Sequence, residues 1–99
     1  MSASLRIEVL RRANRQIAEA SAWWKTNRTK APHAFREELT AAFDLLARQP
    51  NIGVKVAGFE GVRRIHLNRI HYYLYYRVST QVVEIVALWH ASRGGHPIL

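Results

Sequence analysis

Past Gly61 the apolar period of the chain changes from three-to-four to two, and this switch limits the architecture more than any other feature. Ala13, Ile17, Ala20 and Trp24 recur at spacings of four, three and four, one stripe of an amphipathic helix. That helix is predicted from about Arg11 to Asn27, with Trp23 beside the stripe. Phe35, Leu39, Ala42, Phe43 and Leu46 make a second stripe; Pro32 suits its first position, and it ends near Arg48, just before Pro50. The short polar link between them predicts an antiparallel helix hairpin.

Alternation governs the rest. Leu5, Ile7 and Val9 alternate with Arg6 and Glu8, a short strand. Residues 50–61 contain Gly53, Gly58 and Gly61 and read as a loop. Three strands follow, Val62–Leu67, His71–Val78 and Val82–Trp89, joined by connections short enough to require antiparallel neighbours. The expected fold class is α+β: β-α-α-β-β-β over residues 1–99, one domain, with the helix hairpin on one face of a small, mostly antiparallel four-stranded sheet and the other face open. Strict alternation puts Val62, Arg64 and His66 on one face, and Tyr73, Tyr75 and Arg77 together. In the last strand it sets Val83, Ile85, Ala87 and Trp89 against Val82, Glu84, Val86, Leu88 and His90.

Fifteen Lys+Arg against seven Asp+Glu give a net charge of +8, which points to an anionic partner. Twelve of the fifteen cations are arginine, the planar donor suited to phosphate, carboxylate and aromatic rings. Residues 61–83 hold Arg63, Arg64, Arg69 and Arg77, four tyrosines and no acid. A sheet face bearing Arg, Tyr and His suits RNA, through phosphate pairing and base stacking, or an acidic protein; the plain alternative is cross-strand packing. There is no cysteine, hence no disulfide or thiolate metal site. No histidine pair, carboxylate pair, P-loop, GxSxG or dinucleotide fingerprint occurs, so no metal or other cofactor is expected. No apolar run is long enough to span a bilayer and no leader pattern opens the chain, so a cytoplasmic protein is the expectation.

The block from Val62 to Gly94 resembles the ParE branch of the RelE/ParE superfamily, the toxins of type II toxin–antitoxin systems. The matching elements are the Arg-rich strand, the strand ending Tyr75-Tyr76-Arg77-Val78, the strand Val83–Trp89, then His90 and Arg93-Gly94. The Trp23-Trp24 pair and Pro50-Asn51-Ile52-Gly53 fit the same pattern, so that the likeness covers about residues 5–97.

The resemblance implies a toxin that poisons DNA gyrase and is neutralised by a ParD-like antitoxin. The antitoxin alone would bind operator DNA, and its C-terminal part would wrap the toxin. Antitoxin-binding candidates are Trp23, Arg63, Arg64, Tyr73, Tyr75 and Arg77; Trp23 is the expected anchor, because Trp24 fits the core stripe better. Target-binding candidates are His90 and Arg93, with the Arg93–Leu99 segment projecting from the sheet. RelE-like relatives cut messenger RNA on the ribosome. Under that alternative Arg64, Arg77, His90 and Arg93 would be catalytic, with His90 as general acid and an arginine as clamp. No tyrosine follows Tyr76, whereas such ribonucleases usually carry one near the chain end, and this favours gyrase. A third reading, a stand-alone nucleic-acid-binding module, explains the charge but not the block.

Overall fold

The computed structural model describes residues 4–99; residues 1–3 of the expected domain lie outside the described residues. The chain runs β1 (Arg6–Val9), α1 (Arg11–Asn27), α2 (Ala34–Arg48), β2 (Val54–Lys55), β3 (Val62–Leu67), β4 (Tyr72–Val78), β5 (Val82–His90) and a 3-10 turn (Ala91–Arg93). The sheet order is β1-β5-β4-β3-β2. Only β1 against β5 is parallel; the other pairs are antiparallel.

The helices follow their stripes. Ala13, Ala20 and Trp24 of α1 and Phe35, Leu39, Ala42 and Leu46 of α2 are buried against Leu74, Tyr76, Val83 and Ile85 of the sheet. Ring contacts lock the far end of the hairpin: Phe35 lies 6.4 Å from Trp24 and meets Tyr72 edge-on at 5.8 Å. Pro32 does not open α2, which starts at Ala34. Instead the Ala34 N–H donates to the Ala31 carbonyl at 3.2 Å. Pro32 therefore occupies the second position of a β-turn, where its fixed φ is equally suited. The Trp24 indole N–H also donates to that carbonyl, at 2.8 Å, tying the turn to the core.

The sheet departs from the expectation in three ways. First, it has five strands rather than four. Val54 and Lys55, inside the stretch read as a loop, pair with Arg64 and Arg63. Two residues are too few to display a period.

Second, β5 carries a bulge. Tyr75 pairs with Ala87 but Tyr76 with Ile85, leaving Val86 as an extra residue. Beyond it the alternation shifts by one. Val83, Ile85 and Leu88 join the helix-side core, whereas Val86, Ala87 and Trp89 turn to the far face. Ala87 and Trp89 thus do not share a face with Val83 and Ile85, and Leu88 does.

Third, the far face is not open. Val62, Tyr75, Val86 and Ala87 form a second buried cluster, roofed by Val56, Phe59 and Leu99. The segment after Arg93 does not project. Pro97 is buried and His96 meets Phe59 edge-on at 4.9 Å. The Arg12 guanidinium donates to the Ile98 carbonyl, while the Ile98 side chain stands out, at 87% exposure.

Candidate functional site

Cross-strand register assigns the faces. Val62, Arg64 and His66 of β3 lie opposite Arg77, Tyr75 and Tyr73 of β4, so the two trios share the far face. Their fates differ along it. Tyr75 is fully buried and offers no surface to a partner, because Val62, Val86 and Ala87 enclose it; its hydroxyl accepts from Arg64 at 3.3 Å. Arg77 is paired with Glu84 at 3.3 Å. Arg63 points to the helix side, where it donates to the carbonyls of Gly53 at 2.8 Å and Asn51 at 3.2 Å. It thereby holds the approach to β2.

The remaining candidates gather at one end of the sheet, where β3 and β5 finish and β4 begins. On the helix side, Trp23, Tyr72, His90 and Arg93, with Gln16 and Glu19, line an open cleft of about 240 Å³. Trp23 is 46% exposed while Trp24 is 7% exposed, the partition that the stripe predicts. Arg28 lies 5.1 Å from the Trp23 ring centroid. The Gln16 side-chain oxygen accepts from the Leu88 N–H at 2.9 Å.

His90 meets Tyr72 edge-on at 5.0 Å. Its Nδ1 lies 3.2 Å from the Ser92 N–H and 2.7 Å from the Ser92 hydroxyl. A backbone N–H only donates, so Nδ1 is the acceptor and the neutral ring carries its proton on Nε2. Burial raises the Tyr72 hydroxyl above its ordinary value, so it is a neutral phenol at pH 7.

On the far side of the same end, Arg64 lies 4.0 Å from the centroid of Tyr73, and His66 4.9 Å from it. Tyr73 pairs with Trp89, over which Arg93 sits at 4.0 Å. Arg93 lines the helix-side cleft as well, so it joins the two faces. His66, Trp89, Gln16 and Tyr72 are the residues that sequence reasoning did not nominate. His66 was within reach by counting back from the turn before β4; Trp89 was hidden by the bulge.

The four residues of the ribonuclease alternative do not meet. Arg64 is on the far face and His90 on the helix side. Arg77 is five residues along β4 from Tyr72, the partner of His90, or ~16 Å. Among the described residues no three of His, Asp and Glu group as metal ligands, and no helix is long and apolar enough to cross a membrane.

Comparison with known proteins yields one family, and solved structures of the same fold. Residues 7–94 match the family described as ParE toxin of type II toxin–antitoxin system, parDE. A solved structure, the chromosomal ParDE TA system from P. aeruginosa, is 18% identical with a TM-score of 0.72, covering 90% of this chain and 98% of that one. The YoeB dimer from Staphylococcus aureus is also 18% identical, with a TM-score of 0.59, covering 89% and 98%. At such identities the likeness is one of fold. No curated protein matches the sequence.

Proposed function

The chain belongs to the ParE toxin family of type II toxin–antitoxin systems, and from that premise we propose that it inhibits DNA gyrase by binding and is neutralised by a ParD-like antitoxin. One observation carries the choice of target: of the four candidate groups for RNA cleavage, only His90 and Arg93 share a cleft, while Arg64 lies on the opposite face and Arg77 at the other end of the sheet. A binding toxin needs a surface and no reacting constellation. His90 and Arg93 are assigned to the target, since both are accessible at the end of β5.

The antitoxin is assigned Trp23, Arg64 and Tyr73 directly, and Arg77 through its exposed edge. Tyr75 and Arg63 act by holding Arg64 and the Asn51–Gly53 loop in place. A +8 toxin suits an acidic antitoxin tail that folds as it binds. In this reading the toxin meets operator DNA only through the antitoxin, in the cytoplasm.

The test is a supercoiling assay with purified gyrase, run beside a ribosome-programmed mRNA cleavage assay. The expected result is blocked supercoiling with cleaved DNA trapped, and intact mRNA. Cut mRNA with unaffected gyrase overturns the proposal and makes His90 and Arg93, with Tyr72 in the same cleft, the catalytic candidates.

A further inference from the structure

The far face is bipolar. At one end Glu8 and Glu84 stand side by side in register, and Arg6 at 2.9 Å and Arg77 at 3.3 Å neutralise them. At the other end His66, Tyr73 and Trp89 sit on β3, β4 and β5 in one cross-strand row. Neighbouring strands are ~4.8 Å apart, so the row spans ~10 Å. Two guanidiniums lie over its rings, Arg64 on Tyr73 and Arg93 on Trp89, each 4.0 Å from the centroid. Among the described residues neither has a carboxylate within ion-pair distance. A guanidinium over a ring offers a planar group for stacking and N–H donors for an oxygen anion; one donor of Arg64 reaches the Tyr75 hydroxyl and the others remain for a ligand. An anion alone would be met by the arginines without the rings, and an apolar partner by the rings without the arginines. A ligand that alternates planar rings with phosphates uses both.

We infer that this row is a binding platform for single-stranded nucleic acid, with bases stacking on the ring–guanidinium pairs of Tyr73–Arg64 and Trp89–Arg93 and phosphates taken by the guanidinium edges. A duplex keeps its bases stacked on one another and offers this row only its backbone. The inference goes beyond the gyrase reading: it requires neither gyrase nor an antitoxin, although it shares Arg64 and Tyr73 with the surface assigned to the antitoxin and Arg93 with that assigned to the target.

The experiment is fluorescence anisotropy of the full chain with labelled oligothymidylate and oligouridylate of about 12 nucleotides and a duplex of the same length, across a salt series. Both strands are expected to bind about tenfold more tightly than the duplex. Arg64→Ala and Tyr73→Ala should each weaken strand binding about tenfold, and Arg64→Ala should reduce the slope of log K against log salt by about 0.7. Tyr73→Phe keeps the ring and should bind as the wild type does, which separates loss of stacking from loss of fold. Arg15→Ala, exposed on α1, should change affinity less than about twofold. A tighter complex with either sugar identifies DNA or RNA as the natural strand and supports the platform. Equal losses for Arg15→Ala and Arg64→Ala, duplex bound as tightly as strand, or displacement by polyglutamate at matched charge would each overturn it.

Discussion

Trp23 and Trp24 are neighbours with opposite tasks. Trp24 is buried and donates to the Ala31 carbonyl, so Trp24→Ala should lower stability by ~3–5 kcal/mol in urea unfolding. Trp23 is half out in water, so Trp23→Ala should leave the unfolding midpoint nearly unchanged while weakening antitoxin binding at least tenfold by calorimetry. Unchanged affinity would remove Trp23 as the anchor. Tyr76 carries a pH signature. Burial raises its hydroxyl above the ordinary value of 10.0, against smaller lowering by the Gly53 N–H and by Arg63, and burial also raises Tyr72. Above about pH 10 the unfolded chain has released tyrosine protons that the folded chain retains, so stability falls as pH rises. The urea midpoint should therefore drop from about pH 10 upward, less steeply in Tyr76→Phe. A midpoint that climbs with pH in that range would contradict the assignment.

At the scale of the element, legibility tracked length and regularity. Both helices were readable because their stripes persist over about three turns, and β3 and β4 because a turn fixes where their alternation begins. The two-residue β2 gave no period. The bulge at Val86 was invisible because Val82–Trp89 is apolar almost throughout, so a shift of one residue changes no hydrophobic pattern. That shift, not composition, puts Trp89 beside Tyr73, and so half of the candidate site lay beyond the sequence. Gly53 was visible only as part of a Pro-x-x-Gly string; the structure supplies its reason. Its N–H donates to the Tyr76 hydroxyl at 2.8 Å, and an added methyl would fall 2.5 Å from that oxygen and 2.9 Å from the Arg64 carbonyl. Backbone lies on one side and a fully buried ring on the other, so neither yields. Gly53→Ala should cost ~1–3 kcal/mol, read by urea unfolding, and should loosen the β2 edge first. A wild-type midpoint would show that the loop gives way freely.

For the whole molecule, the segregation of charge matters more than its total. Acids and their arginine partners occupy the β1 end of the far face, while cations without carboxylate partners collect with aromatic rings at the end formed by Tyr73, Trp89 and Arg93. That end carries the residues assigned to the target, and Trp23 lines the same cleft as His90 and Arg93. The most direct test is therefore a titration of gyrase supercoiling with the wild-type chain and with Arg93→Ala, both confirmed to be folded by their unfolding midpoints. Gyrase binding through Arg93 predicts inhibition by the wild type, and at least tenfold more Arg93→Ala for the same effect. Equal potency of the two chains, or no inhibition by the wild type, would contradict it.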